Sequence, residues 1–332
     1  MKHHSNKLVK AGVIGVGHMG QYHVGAYSEI TGVQLVGIAD VNRERGQAIA
    51  NRYLTDYYED FHALLGKVDV LSIAVPTALH YGIASECLEA GVNCLVEKPV
   101  CDNLEQARAL FDIARRRNVA LHVGHVERFN GAVQELKNVV SEPILIESRR
   151  LGPFIPRVKD DSVVLDLMIH DLDIILNMVD SPIKTLNAMG ASVMSDREDV
   201  VNVQILFENG CMATIVASRV TQEKIRTLAV TQANEYVVLD YTNQDILVHR
   251  RASSQSERTR QELRYKQESL IERIFVHRDN PLKLQLQHLI GCATNGDKRR
   301  TSVENELKSL EVALRVLDLL RPSLAQRRMA AV

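Results

Sequence analysis

The sequence predicts two domains. The first is an α/β domain built on a doubly wound parallel sheet, and the second is an α+β domain with an open-faced, mainly antiparallel sheet. Three observations support this prediction: strand-like and helical runs alternate over residues 1–126, a glycine-rich turn follows the first apolar run, and strand-like runs follow one another over residues 127–332. We place the domain boundary between these two ranges.

The first domain contains five apolar strand-like runs. They cover Lys10–Val16, Gln34–Asp40, Val68–Val75, Val92–Glu97 and Ala120–Val123. The clearest helical patterns between them are Met19–Glu29, Ala78–Ala90 and Leu104–Asn118. Asn103, with Gln106 three residues later, is typical of a capped helix start. Ligands of such sheets bind outside the carboxyl ends of the strands, so the residues that follow each strand are candidates for a binding site.

The glycine-rich turn at residues 15–20 reads Gly-Val-Gly-His-Met-Gly, and Asp40 ends the next strand-like run. This fingerprint predicts a dinucleotide whose pyrophosphate lies at a helix N-terminus. Asp40 can accept hydrogen bonds from both ribose hydroxyls and would repel a 2′-phosphate, so we expect NAD rather than NADP. NADP remains an alternative, because Arg43 or Arg45 could bind its 2′-phosphate. The predicted cofactor-binding residues are Gly15, Gly17, His18, Met19, Gly20, Asp40, Val75, Pro76, Thr77, His80, Glu97 and Lys98.

Composition excludes several classes of function. The 332 residues are 45% hydrophobic, which is enough for two domains and a sizeable core. A formal net charge of −1 predicts neither a nucleic-acid partner nor a membrane surface as a partner. Met1–Lys10 is polar, and no apolar run has the length of a membrane span. With five scattered cysteines, an odd number, we expect free thiols and a cytoplasmic protein.

The second domain begins with a helical pattern at Phe129–Val140 and a strand at Ile144–Leu151. A long apolar helix, Val163–Val179, precedes six runs with strand-like alternation: Ile183–Val193, Val200–Phe207, Cys211–Arg219, Arg226–Thr231, Tyr236–Tyr241 and Asp245–Arg250. Asn209-Gly210 predicts a hairpin, and the polar Arg251–Arg260 predicts a hairpin tip. Helices return after Pro281 and at Val303–Leu320. We expect helices on one face of the sheet and a second subunit on the other, as a homodimer or homotetramer.

Two features suggest where chemistry occurs. Lys98 follows the fourth strand-like run in the order Glu-Lys-Pro, where its charge would hold a substrate hydroxyl and stabilise the alkoxide. The apolar helix carries a polar stripe of Asp166, His170, Asp173 and Asn177, in which His170 is a natural general base and Asp166 would orient it. The alternative interpretation is a surface lysine and a buried polar network. We predict no metal site, because no set of side chains has zinc-ligand spacing.

These motifs together resemble the glucose-fructose oxidoreductase / inositol dehydrogenase / MocA (Gfo/Idh/MocA) family. The resemblance rests on the GxGxxGxxH opening that ends at His23, the Glu-Lys-Pro triplet at 97–99 and the DxxxHxxD pattern at 166–173, and it extends over nearly the whole chain. It implies a Rossmann domain followed by an open-faced α+β domain, a tightly held nicotinamide cofactor, and oxidation of a ring hydroxyl on a sugar or cyclitol.

The resemblance also implies roles for individual residues. Lys98, Asp166 and His170 correspond to the catalytic residues of the family: the substrate hydroxyl would lie between Lys98 and His170, with His170 taking its proton. Asp173 matches a position that binds substrate or braces the helix.

Within the family, residues 123–130 and 149–154 are most similar to the branch that acts on UDP-N-acetylglucosamine. That branch oxidises the 3-hydroxyl to a ketone for a partner aminotransferase, on the way to an amino-sugar lipid A. Arg128, Arg149, Arg150 and Arg157 would suit the diphosphate of such a substrate, or would be surface charges and ion pairs. The predicted substrate-binding residues are Lys98, Arg128, Arg157, Asp166, His170 and Asp173.

Three alternative functions remain at this point. A dehydrogenase of a free sugar or inositol would not need the arginines. A non-catalytic NAD-binding sensor would not need to keep Lys98, Asp166 and His170 together. An NAD(P)-dependent reductase of imines or bilins would not require the Asp166–His170 pair.

Overall fold

The computed structural model describes residues 8–155, 162–251, 255–258, 263–266 and 269–330. The chain divides into two units: the first contains the residues up to Phe129 together with Asn280–Glu311, and the second contains Asn130–Asp279 and the residues from Val312 onward. This differs from a single boundary at 126/127. The late segment joins the first unit because Leu286 and Leu289 pack into the apolar core of that unit. None of the helices described has the length and apolar character needed to cross a bilayer.

The sheet of the first unit has six strands, all paired in parallel. They are β1 (Val9–Ile14), β2 (Val33–Ala39), β3 (Asp56–Tyr58), β4 (Val70–Ile73), β5 (Asn93–Val96) and β6 (Leu121–Val123). The order β3-β2-β1-β4-β5-β6 confirms the doubly wound sheet and puts the topological switch point between β1 and β4. The sequence analysis missed β3, because three residues are too few to show a period.

Helices cover both faces of this sheet. They are α1 (His18–Ser28), α2 (Arg43–Tyr53), α3 (Thr77–Glu89), α4 (Leu104–Arg117) and, late in the chain, α7 (Pro281–Thr294). As predicted, Asn103 caps α4: its side chain accepts a hydrogen bond from the Gln106 N–H at 2.9 Å. Asn280 caps α7 in the same way, and Pro281 occupies the first helical position, where no N–H is needed.

The sheet of the second unit has eight strands in the order β16-β13-β12-β11-β7-β10-β9-β8. They are β7 (Leu145–Leu151), β8 (Ile183–Ala191), β9 (Val200–Phe207), β10 (Met212–Ser218), β11 (Ile225–Thr231), β12 (Glu235–Asp240), β13 (Asp245–Arg251) and β16 (Ser269–Ile274). Neighbouring strands are antiparallel except β7 and β10, which confirms a mainly antiparallel sheet. The Asn209-Gly210 hairpin is confirmed, with Gly210 at φ +88° between β9 and β10.

One face of this sheet packs on α5 (Gly131–Val139), α6 (Ile169–Met178) and residues 312–320 of α8 (Val303–Ala330). Val203, Ile215 and Leu228 are fully buried on that face. The opposite face is exposed in this chain, and four of its larger apolar side chains are 40–66% accessible: Met189, Met212, Tyr236 and Ile271. The predicted open-faced sheet is therefore present.

Three elements of the second unit differ from prediction. The helix expected at Phe129–Val140 begins at Gly131, because Asn130 caps it by accepting the Ala132 N–H at 3.1 Å. The long helix at Val163–Val179 opens with a π turn, Val164–Met168, before α6 begins. Part of Arg251–Arg260 forms a strand, β14 (Gln255–Arg258), that pairs antiparallel with β15 (Leu263–Lys266); the intervening residues lie outside the described part of the chain.

A buried carboxylate ties the loop after β8 to β9. Asp199 accepts hydrogen bonds from the backbone N–H groups of Val193, Met194 and Ser195 and from the Arg219 guanidinium, at 2.6–2.9 Å. Burial alone would raise the pKa of Asp199, but these donors outweigh it and hold the pKa well below the ordinary 3.8.

Candidate active site

The glycine-rich turn joins β1 to α1 at the switch point of the first sheet. Gly15 has a φ of +81°, which a side chain would strain, and a Cβ there would lie 2.7 Å from the Ala74 carbonyl oxygen. A Cβ on Gly20 would lie only 1.8 Å from the Gly15 carbonyl oxygen. Helix α1 can thus start directly against β1 only if both positions are glycine, as the fingerprint predicts.

Gly17 serves a different purpose, because a Cβ built on it meets no described atom within 4 Å. It is also the N-cap of α1, and as a glycine it has no side chain with which to cap this helix start. The first N–H groups of a helix have no partner within the helix, and here the N-cap residue supplies none. A pyrophosphate fits such a place, since helix N-termini bind anions through their backbone N–H groups.

Asp40 follows β2 and is 5% exposed. One of its carboxylate oxygens accepts the Val16 N–H at 2.8 Å, which fixes the glycine turn, and the other accepts the Asn42 N–H at 2.8 Å. Arg45 donates to both oxygens, at 2.7 and 3.2 Å. Burial would raise the pKa of Asp40, but these hydrogen bonds lower it, so the group is ionised. Arg45 must move aside before both oxygens are available to a ribose.

The residues after β4 form a turn whose position is fixed by His80. Val75 and Thr77 are half-buried, and Pro76 is the N-cap of α3. The two ring nitrogens of His80 lie 2.9 Å from the carbonyl oxygens of Val75 and Pro99. Burial lowers the pKa of His80, against the effect of the two carbonyl oxygens, which favour N–H groups on both ring nitrogens. His80 is 1% exposed, so in this structure it connects two turns.

Glu97 points into the first unit. Its carboxylate lies 2.8 Å from the His23 ring, and the other ring nitrogen lies 3.0 Å from the Ser72 hydroxyl, which Tyr27 also contacts at 3.1 Å. Burial would raise the pKa of Glu97, but the contact with His23 outweighs it and lowers that pKa. Sequence reasoning missed His23 and Ser72 as partners; the GxGxxGxxH spacing was the only signal.

Lys98 lies next to this buried network. Its backbone N–H is 3.2 Å from the second Glu97 oxygen, and its peptide bond to Pro99 is cis. The side chain is half-buried. Glu97 and His80 therefore fix the backbone on both sides of Lys98, which positions the side chain that follows the end of β5.

The polar stripe of the second unit begins in the π turn. Asp166 lies in that turn, His170 lies one turn later in α6, and both are half-buried. π turns occur often at functional sites. Asp173 is 1% exposed, and its backbone and side-chain oxygens accept from the Asn177 amide at 2.7 and 3.4 Å. These contacts join two successive turns of α6. The roles of Asp166, His170 and Asp173 remain predictions.

The prediction that four arginines would suit a diphosphate is wrong for Arg150. Successive side chains of a strand point to opposite faces, so Arg149 is exposed on the open face of the sheet while Arg150 is buried. Arg150 forms an ion pair with Asp171 at 2.7 Å and lies 4.8 Å from the centre of the Tyr241 ring, so it does not serve a diphosphate. Sequence reasoning missed Asp171, which lies outside the predicted stripe.

Of the other two arginines, Arg128 is half-buried and pairs with Glu306 at 2.8 Å. Arg157 lies outside the described residues.

Comparison with known proteins decides the family. Residues 9–125 match the model of an oxidoreductase family with an NAD-binding Rossmann fold, and residues 131–235 match the C-terminal domain model of the same family. The chain belongs to the Gfo/Idh/MocA family. The predicted family, fold and NAD cofactor are thereby confirmed.

Two relatives of known name are similar in sequence. The chain is 35% identical over 246 residues to UDP-N-acetylglucosamine 3-dehydrogenase of Acidithiobacillus ferrooxidans, which covers 74% of this chain and 78% of that protein. An uncharacterized oxidoreductase of Bacillus subtilis, YrbE, is 28% identical over 231 residues, covering 64% and 68%.

Solved structures agree. The Acidithiobacillus ferrooxidans enzyme superposes with a TM-score of 0.85 over 95% of this chain and 98% of that one. A scyllo-inositol dehydrogenase of Lactobacillus casei, solved with NAD(H) and scyllo-inositol, gives 0.78 over 96% and 98% at 17% identity, which shows the shared fold alone.

Proposed function

We propose that this member of the family oxidises the 3-hydroxyl of UDP-N-acetylglucosamine, or of a related UDP-sugar, to a ketone with NAD. The observation that carries the proposal is the 35% identity to a UDP-N-acetylglucosamine 3-dehydrogenase over three quarters of the chain. The first unit supports the cofactor, because the open space at Gly17, the first amides of α1 and the Asp40 carboxylate fit the parts of a dinucleotide.

The proposed cofactor contacts follow the strand ends. Gly15, Gly17, His18, Met19 and Gly20 would hold the pyrophosphate. Asp40 would hold the adenosine ribose, and the turn after β4 with Lys98 would border the nicotinamide. When bound, NAD supplies the acceptor for the hydride that leaves the substrate carbon. Glu97 and His80 act as positioning residues, because their side chains bond within the protein in this structure.

The proposed proton chemistry uses three residues. The Lys98 ammonium stabilises negative charge on the substrate oxygen, which lowers the pKa of the hydroxyl. His170 accepts the hydroxyl proton, and Asp166, one turn earlier, orients the ring and stabilises the imidazolium that forms. Asp173, fixed against Asn177, completes the substrate contacts or holds the helix in place.

Arg128 is the remaining proposed contact to the diphosphate, together with Arg157. Arginine binds such oxygens in pairs of hydrogen bonds. Arg128 is held by Glu306 at 2.8 Å in this structure, so this proposal requires the guanidinium to share its donors between the carboxylate and the substrate.

The wider setting is also a proposal. The ketone would pass to a sugar aminotransferase, on the way to an amino-sugar lipid A. Two or four copies would pair through the open face, whose exposed Met189, Met212, Tyr236 and Ile271 suit an isologous contact. All five cysteines are free thiols, which supports a reducing compartment, the cytoplasm.

A substrate panel tests the proposal. NADH absorbance is followed with UDP-N-acetylglucosamine, other UDP-sugars, free sugars and inositols, and with glutamate and a sugar aminotransferase to remove ketone. Signal with UDP-sugars alone supports the proposal. Signal only with inositols or free sugars replaces it with a dehydrogenase of those compounds, and no signal from a protein that binds NAD favours a sensor.

A further inference from the structure

Three metal-ligating side chains meet in the first unit, outside the residues assigned to the reaction. They are His122 on β6 and His288 and Cys292 on α7. One ligand atom from each lies within 4.8 Å of the others. The sequence analysis expected no metal site, because two of these residues are far from the third along the chain and no zinc-like spacing connects them.

The geometry approaches that of a metal site. His288 and Cys292 are four residues apart, so they share one face of α7. The Cys292 Sγ lies 3.8 Å from the His288 Nε2, and the rings of His122 and His288 have centres 5.0 Å apart. Ligand atoms around a tetrahedral zinc ion, with bonds of about 2.0–2.3 Å, lie roughly 3.5 Å apart. To hold one ion, the three ligand atoms, now within 4.8 Å of one another, must approach by about 1 Å.

His122 supplies an independent observation. The residue is 6% exposed, and its buried Nε2 has no hydrogen-bond partner among the described residues. A buried polar atom without a partner is uncommon and costly unless something else satisfies it. A metal ion can satisfy an imidazole nitrogen in such a position.

The ligand types decide the class of ion, and the surrounding charges affect how strongly it binds. Arg128 and Arg299 both lie close to the cluster, and both form ion pairs with Glu306. Arg300 donates its backbone N–H to His288 Nε2 at 3.3 Å, so an ion would replace that hydrogen bond or bind Nδ1, which lies 4.0 Å from the Cys292 Sγ. Two imidazoles and one thiolate suit a borderline-soft ion, and hard cations such as Mg²⁺ or Ca²⁺ prefer oxygen. The thiolate would offset one charge of a divalent ion in this positive environment.

We propose that His122, His288 and Cys292 bind one Zn²⁺, with a fourth position left to water. The ion connects β6 to α7, the late helix that belongs to the first unit. Bound Zn²⁺ therefore stabilises the folded first unit by linkage and protects the Cys292 thiol.

Zinc binding to the purified full chain tests this proposal. We expect one Zn²⁺ per chain by equilibrium dialysis and metal analysis, a higher melting temperature with Zn²⁺, and slower reaction of Cys292 with a thiol reagent. Co²⁺ in place of Zn²⁺ should give a thiolate charge-transfer absorption band. C292A and H288A should each weaken binding at least about tenfold.

C211A is the matched control, since Cys211 is a buried free thiol in the second unit, and it should leave Zn²⁺ binding unchanged. Circular dichroism is used to check that each variant folds. The proposal is overturned if the native chain binds no stoichiometric Zn²⁺, if Co²⁺ gives no charge-transfer band, or if folded C292A and H288A bind Zn²⁺ as the native chain does.

Discussion

Gly17→Ala and Gly20→Ala separate binding of the cofactor from formation of the turn. A Cβ at Gly17 meets nothing within 4 Å, whereas one at Gly20 would lie 1.8 Å from a backbone oxygen. The Gly17 backbone, at φ −65° and ψ −156°, is extended and does not require glycine. The folded protein without cofactor should therefore tolerate Gly17→Ala. The substitution should weaken binding only of a molecule that occupies the open space beside residue 17.

The expected magnitudes follow from this difference. At Gly17, alanine gains about 0.4–1 kcal/mol from the unfolded chain and loses a similar amount as a poorer N-cap, so stability changes by less than about 1 kcal/mol. In Gly17→Ala, the added methyl group keeps the backbone N–H groups away from the charged pyrophosphate of NAD. Such hydrogen bonds are worth about 1.5–3 kcal/mol, so affinity should fall about 10- to 150-fold. At Gly20 the overlap should cost about 1–3 kcal/mol of stability or more.

The assay combines thermal unfolding without cofactor and NAD titration by calorimetry for the native chain and both variants. Gly17→Ala should melt close to the native chain and bind NAD weakly, and Gly20→Ala should melt lower. If Gly17→Ala binds NAD with native affinity, or loses as much stability as Gly20→Ala, the assignment of the open space to a pyrophosphate is refuted.

Three further predictions follow from buried or paired charges. Arg45→Ala should raise the preference for NAD over NADP at least about tenfold in cofactor titrations, because Asp40 is freed and a cation for the 2′-phosphate is lost; an unchanged ratio would contradict this. Asp171→Ala should cost about 3–5 kcal/mol in urea unfolding, because Arg150 loses its buried carboxylate, and the double variant Arg150→Met with Asp171→Leu should cost less; equal losses would contradict it. The stability deficit of Asp199→Asn should be full above about pH 4 and shrink as pH falls, since the folded-state pKa is depressed; a deficit that grows on acidification would contradict it.

Elements with strong hydrophobic periodicity, or with a clear capping or turn residue at their end, could be predicted from the sequence. The parallel sheet, the Asn103 cap and the Asn209-Gly210 hairpin follow from local chemistry, so they were predictable. The short strand β3 and the π turn before α6 carry no local signal, because tertiary packing decides them. The return of α7 to the first unit is a long-range contact that no window of sequence contains.

The candidate site divides in the same way. The glycine turn and Asp40 were predictable because each has a fixed spacing and a known conformational need. The inward turn of Glu97 toward His23 was not, since it depends on two elements far apart in the chain. The position of Arg150 could not be predicted from the number of arginines in the segment. Its neighbour Arg149 is exposed, and strand alternation decides which of the two is buried.

Isotope transfer from the substrate carbon tests the central claim most directly. UDP-N-acetylglucosamine deuterated at C3 is incubated with NAD and the protein, with glutamate and a sugar aminotransferase present, and the NADH is analysed by mass spectrometry. We predict NADH that carries one deuterium, and loss of this product with Lys98→Ala and His170→Ala variants that still bind NAD. NADH without deuterium, or native turnover in either variant, would contradict the account.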